Sequence, residues 1–239
     1  MDRSFKIFVD FDGTITTQDV GEALFNRFGE IEKVDVVVKQ LLNDEISSRD
    51  CWTQLCNSVG KISKDEVDSF INTMEIDNFF AGFYNYCNAN GSQLYVLSDG
   101  FDYYIEKIFS KEGLTPVKFF ANKLVISPDG KMIPSFPYYD SACQSSANCK
   151  RNHIINNSGD DEFTVYIGDG NSDKYTIDYC DFIFAKDDLL KHCERNRISY
   201  FPFNNFSDVK KRMEILHSKR NLKKRHRAEL KRKEVYKAE

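Results

Sequence analysis

Three acidic turns, each closing a short apolar run, constrain the fold of this 239-residue chain more than any other feature. Phe5–Val9 leads into Asp10-Phe11-Asp12-Gly13-Thr14, and Gln93–Leu97 into Ser98-Asp99-Gly100. Thr164–Ile167 leads into Gly168-Asp169-Gly170-Asn171-Ser172-Asp173. Each run is rich in β-branched and aromatic residues, bounded by a polar turn and followed by helical periodicity. That pattern predicts buried strands. Further strands are predicted within Phe119–Pro134, around Pro128-Asp129-Gly130, at Asp181–Ala185 and at Ser199–Phe203. Strands alternating with helices predict an α/β fold, a Rossmann-like doubly wound parallel sheet.

Between the first two strands the pattern is helical throughout. Val20, Leu24, Phe28, Ile31, Val34, Val38 and Leu41 recur at helical spacing, with Gly29 dividing them into two helices. Ser47–Val59, Ser63–Thr73 and Asp77–Asn90 predict three more, the second opened by a Ser63/Glu66 capping box. Helices are also expected at Phe101–Lys111, at Lys150–Asn156, directly after Asp173 and at Leu189–Arg195. The expected organisation is a core of residues 1–15 and 89–209, an inserted all-helical domain over 16–88, and a basic helical or frayed tail over 210–239.

Open α/β sheets bind ligands at the carboxyl ends of their strands. The three turns would gather Asp10, Asp12, Asp99, Asp169 and Asp173 there. Crowded carboxylates repel one another and are costly to desolvate. A hard divalent cation offsets that cost, and Mg2+ favours a few carboxylates together with phosphate oxygens. The helix N-termini after the turns favour an anion in the same place. Thr14, Ser98, Asp99, Gly100 and Asn171 are the candidate phosphate contacts, and Lys150 or Arg151 the candidate cation. One such turn is an ordinary use of Asp as a turn former; three, each directly after an apolar strand, indicate a site.

Asp-Phe-Asp-Gly-Thr, Ser-Asp-Gly, a Lys and Gly-Asp-Gly-x-x-Asp, in that order between residue 5 and about 190, resemble the haloacid-dehalogenase superfamily of phosphohydrolases. The helical insert is similar to that superfamily's C1-type cap. The resemblance implies that Asp10 is a nucleophile forming an aspartyl-phosphate. Asp12 would be the general acid that protonates the leaving oxygen and then the base that activates water, with a raised pKa. Ser98 and Lys150 would hold the phosphoryl oxygens. Asp10, the carbonyl of Asp12, and Asp169 would bind Mg2+, with Asp173 beside them. Asp12, where an apolar residue would admit dehalogenase or phosphonatase chemistry, implies a phosphatase.

Within the superfamily the chain resembles two groups. Phosphoserine phosphatases carry an acidic residue nine positions after the nucleophile, where Asp19 stands here, and a cap Arg for the substrate carboxylate. The corresponding helix has Leu55 there, with Arg49 one to two turns away. Methionine-salvage phosphatases of 2-hydroxy-3-keto-5-methylthiopentenyl phosphate are similar in Pro137-Tyr138-Tyr139-Asp140, in Cys143 and Cys149-Lys150, and in Asp181–Leu190 followed by Cys193. The implied partner is a small phosphorylated metabolite. An inactive binding protein working through its tail would have no need of Asp10 or Asp12.

Seven scattered Cys and the lack of an N-terminal export signal predict reduced thiols and a cytoplasmic protein. Cys143, Cys149 and His153 fall short of a complete zinc set. No apolar run approaches the roughly 18 residues of a membrane span. The net charge of −4 divides unevenly: residues 210–239 hold 13 Lys/Arg against 4 Asp/Glu, a net of +9, which leaves −13 on residues 1–209. The acidic body excludes a nucleic-acid partner. The tail is expected to be a solvated charged face, with weak nucleic-acid contact as its sharper reading.

Overall fold

The computed structural model describes residues 4–143 and 146–236. The strands are β1 (Phe5–Asp10), β2 (Gln93–Phe101), β3 (Lys118–Ile126), β4 (Met132–Ser135), β5 (Phe163–Gly168), β6 (Phe182–Ala185) and β7 (Phe201–Pro202). The helices are α1 (Val20–Phe28), α2 (Ile31–Leu42), α3 (Ser48–Ser58), α4 (Lys64–Ile71), α5 (Phe80–Ala89), α6 (Asp102–Lys111), α7 (Lys150–Asn156), α8 (Asp187–Arg195), α9 (Phe206–Ser218) and α10 (His226–Tyr236). The sheet order is β4-β3-β2-β1-β5-β6-β7, antiparallel only at β3–β4 among the described pairings. No helix among the described residues is long and apolar enough to cross a membrane.

The chain divides into two compact units. The first comprises Met1–Ile15, Ile76–Leu97 and Lys150–Glu239. Its central strands are buried on both faces and are correspondingly almost continuously apolar: Ile7, Phe8 and Val9 on β1, and Val165, Tyr166 and Ile167 on β5. Register sets Val9 opposite Val96 and Ile167, so β1 and β5 end almost level and their acidic turns emerge together. Phe80 and Phe83 of α5 pack on Phe206 of α9, with ring centroids 4.9 and 5.4 Å apart. These rings therefore belong to the core, whereas Phe79 is exposed. Phe206, Val209, Met213 and Leu216 form the buried stripe of α9, and Asn205 caps it. That helix starts four residues before the onset of the basic run at Lys210.

The second unit comprises Thr16–Glu75 and Ser98–Cys149. Three of its helices begin at short polar caps: Asp19 accepts from the Glu22 N–H, Ser47 from Asp50, and Ser63 and Glu66 form a complete capping box. Gly29 closes α1. Packing groups Ser98–Cys149 with the helical segment rather than dividing the chain at 88/89, and specific contacts account for it. Tyr103 and Lys107 of α6 hold Asp68 of α4 at 2.5 and 2.7 Å, and the Ile62 N–H donates to the Gly130 carbonyl at 3.0 Å.

The helix expected directly after Asp173 is replaced by two 3-10 turns, Asn171–Asp173 and Ile177–Tyr179. The Thr176 N–H bonds back to Asp173 and the Cys180 N–H to Ile177, both three residues earlier. The carbonyls of Ile177, Tyr179 and Cys180 accept from arginine side chains. They are thereby diverted from a longer helix.

Candidate active site

The ends of β1 and β5 and the start of α7 supply a compact polar cluster inside the first unit. Lys150, the first residue of α7, is 1% exposed, and Asp173 is 0% exposed. The Lys150 ammonium donates to Asp10 Oδ1 at 2.5 Å, to Asp173 Oδ1 at 2.7 Å and to Ser172 Oγ at 3.0 Å. Asp173 also accepts from the Tyr166 hydroxyl at 2.5 Å and from the Asp169 and Gly170 N–H groups. Thr14 Oγ1 donates to Asp169 Oδ1 at 2.6 Å. Carboxylate oxygens of Asp10, Asp169 and Asp173 all lie within 4.8 Å of one another.

Gly13 makes this approach feasible. Its φ is +73°, and a Cβ there would stand 2.6 Å from Asp169 Oδ2. Only glycine takes this backbone conformation without strain and leaves the carboxylate its place. Gly168 is as tight, since a Cβ would meet Asp173 Oδ2 at 2.3 Å.

The electrostatics follow from burial. Desolvation, with Asp173 and Asp169 nearby, pushes Asp10 well above the ordinary carboxylate range, against the pull of Lys150. Desolvation and then Asp173 raise Asp169 to about 6. Burial works against the Lys150 ammonium, but Asp10 and Asp173 outweigh it and hold its pKa above the usual value. Two carboxylates thus share one ammonium, and a third, Asp169, lies close by. This excess of hard oxygen donors suits a divalent cation such as Mg2+, which would lower the raised carboxylate pKa values.

The other candidates are placed differently. Asp12 is half-buried in the turn after β1. Ser98, Asp99 and Gly100 belong to the second unit, where Ser98 is buried and its Oγ accepts the Gly100 N–H at 2.9 Å. The Asp99 carboxylate is occupied by Ser48 Oγ, by Ser146 Oγ at 2.7 Å, by the Asn148 N–H at 2.8 Å and by Trp52 Nε1 at 3.4 Å. Such a carboxylate organises its surroundings. Asp19 is exposed and caps α1, and Arg49 is exposed with its guanidinium 4.5 Å from the Tyr139 ring centre. The Asn171 side chain lies outside the described residues. All seven Cys are free thiols, and among the described residues Cys143, Cys149 and His153 form no metal-ligand group. His153 is buried.

Sequence reasoning missed Tyr166 and Ser172. A tyrosine hydroxyl within a buried strand, two residues before Gly168-Asp169, is the signal that could have marked the first. Ser172 carries no such signal.

Residues 5–200 match the family described as Putative Phosphatase. The chain is 33% identical over 217 residues to 2-hydroxy-3-keto-5-methylthiopentenyl-1-phosphate phosphatases of Bacillus cereus (strain AH820) and Bacillus anthracis (strain A0248), covering 89% of this chain and 97% of each relative. Among solved structures, a phospho-aspartyl intermediate analogue of phosphoserine phosphatase superposes with a TM-score of 0.67 at 19% identity, over 89% of this chain and 99% of that one. A substrate-bound phosphoserine phosphatase complex gives 0.66 at 20% identity with the same coverage. At these identities the structures establish a shared fold.

Proposed function

This chain belongs to the Putative Phosphatase family, a group of haloacid-dehalogenase-type phosphoric monoester hydrolases, and we propose that it dephosphorylates a small metabolite through a covalent intermediate on Asp10. The observation that carries this reading is the pair of buried carboxylates, Asp10 and Asp173, held on Lys150, with the half-buried Asp169 carboxylate within 4.8 Å of both.

Asp10 Oδ attacks phosphorus, and the bond from phosphorus to the leaving oxygen breaks. Asp12, in the same turn, gives its proton to that oxygen. The resulting carboxylate of Asp12 then takes a proton from water, whose oxygen attacks the aspartyl-phosphate and releases inorganic phosphate. A carboxylate nucleophile splits one difficult displacement into two easier ones. Lys150, held beside Asp10, offsets the charge of the transferred phosphoryl oxygens, and Thr14 fixes the Asp169 carboxylate. Asp10, Asp169 and Asp173 would hold Mg2+, which when bound supplies further charge neutralisation for phosphoryl transfer. Thr14 and Lys150 position groups within the first unit.

The favoured substrate is a keto-sugar phosphate of the kind named for the Bacillus relatives, given the extent of that identity. Phosphoserine is less favoured. Leu55 is apolar and buried where a carboxylate-binding arginine would be needed, and Asp19 is engaged as a helix cap. The test is phosphate release from a panel containing 2-hydroxy-3-keto-5-methylthiopentenyl 1-phosphate, phosphoserine and p-nitrophenyl phosphate, with Mg2+ or with EDTA, for wild type and Asp10→Asn. Activity that needs both Mg2+ and Asp10 is expected. No release from any member, or equal release by the variant, overturns the reading.

A further inference from the structure

Charge alone predicts a solvated face for the basic C-terminal segment, but two of its arginines turn inward. Arg232 of α10 is 5% exposed. Its Nη1 donates to Thr164 Oγ1 at 2.9 Å and to the Tyr179 carbonyl at 2.6 Å, and its Nη2 lies 3.4 Å from Asp181 Oδ1. Arg225, just before α10, donates through Nη1 to the Ile177 carbonyl at 2.9 Å and to the Cys180 carbonyl at 3.4 Å. The Arg225 N–H reaches Asp181 Oδ1 at 3.1 Å, and Arg227 adds a 2.8 Å contact to Asp178. Ala228 is fully buried on the same helix.

These partners lie at the starts of β5 and β6, the two paired strands that bracket the loop carrying Asp169 and Asp173. Thr164 sits on β5, two residues before Tyr166, whose hydroxyl holds Asp173. Tyr179–Asp181 is where the chain leaves the loop for β6. The two strand starts are closed on each other, because the Thr164 N–H and Oγ1 donate to Asp181 Oδ2 at 3.0 Å and the Asp181 N–H donates to the Thr164 carbonyl at 3.0 Å. Arg232 binds at that closure. In the chain between them stand Asp169 and Asp173. The match to the Putative Phosphatase family ends at residue 200, so α10 lies beyond it.

We propose that α10 braces the loop carrying Asp169 and Asp173, with Arg232 and Arg225 as positioning residues for the cation site; this rests on the phosphatase reading above. The segment's positive charge is used in part inwardly. Two guanidiniums, one from each end of the brace, satisfy three loop carbonyls and the buried Asp181. Without them the closure at Thr164 and Asp181 loosens, and the two carboxylates lose their fixed separation.

The test uses the full chain, with Mg2+ as the calorimetric titrant and p-nitrophenyl phosphate as the kinetic probe. Arg232→Met is expected to raise the Mg2+ Kd by about tenfold, the lower end of what losing the support of metal ligands costs. It should lower kcat at sub-saturating Mg2+ and leave KM for p-nitrophenyl phosphate within about twofold, a tolerance well under the factor of ten of 1.4 kcal/mol. Arg232→Lys, which keeps the charge but not the fork, should fall between the two. A folded Arg232→Met with an unchanged Mg2+ Kd overturns the brace. Should that variant not fold, Arg225→Met, at a less buried site, decides by the same criterion. Wild type that binds no Mg2+ at all removes the metal reading itself, and the brace with it; wild type that binds while both variants match it removes the brace alone.

Discussion

Lys150→Met removes the one ammonium from the buried cluster while nearly conserving volume. Lys150 contacts two carboxylates that are buried almost completely. Whichever of Asp10 and Asp173 carries negative charge, one carboxylate then loses its counter-charge. Breaking a buried pair by deleting one partner costs about 3–5 kcal/mol. A second route gives the same size: the orphaned carboxyl can take a proton instead, and protonating an ordinary Asp at pH 7 costs about 4 kcal/mol, from about 1.4 kcal/mol per unit over roughly three units. The sign of the pH dependence follows. In the variant the folded-state carboxyl pKa is raised above its unfolded value, so the folded state binds more protons. The gap to wild type therefore narrows as pH falls from 7 towards 5, by about 1.4 kcal/mol per unit. Urea unfolding in EDTA at pH 7, 6 and 5 measures it. A loss below about 1 kcal/mol, the scale of an exposed pair, or a gap that does not change with pH, refutes the assignment of Lys150 as the counter-charge of this cluster.

Further predictions concern individual residues. Burial lowers the His153 pKa to about 4. The folded protein thus keeps His153 neutral where the unfolded chain protonates it, and stability falls between pH 6.5 and 4 by up to about 1.4 kcal/mol per unit; His153→Gln should decline less steeply in urea titrations, and a parallel decline would count against the burial account. Gly13→Ala forces a Cβ against Asp169 at positive φ, which costs about 1–2 kcal/mol in backbone strain alone and should weaken Mg2+ binding; an unchanged Tm and Mg2+ Kd would contradict it. Asp12→Asn should lower kcat by about 10²–10⁴-fold, the range of general acid–base assistance, with Mg2+ affinity largely retained. A fall of less than about tenfold, or 1.4 kcal/mol in the barrier, would move the proton-transfer role elsewhere.

Much of this was legible because strand ends and turns are local. Periodicity placed β1, β2 and β5, and residues at and just after the ends of β1 and β5 are the clustered ones, since parallel register brings such ends level. The Ser63/Glu66 box and the break at Gly29 were equally local. What could not be read depends on long-range partners. The partners of the Asp99 carboxylate are one case: Ser48 and Ser146, about fifty positions away on either side, occupy it. The segment after Asp173 had helical composition, but arginines from the C-terminal segment take its carbonyls. A charge run announces solvation by average, and Arg232 is an exception explained by Thr164, the Tyr179 carbonyl and the buried Asp181.

The central claim is that Asp10 carries the phosphoryl group. It is tested most directly by mixing enzyme with Mg2+ and a turned-over phosphomonoester, quenching in acid, and weighing the peptides by mass spectrometry. The account predicts one added phosphoryl group on the peptide containing Asp10, absent from Asp10→Asn. A phosphoryl group found on another residue, or steady turnover by Asp10→Asn, would contradict it.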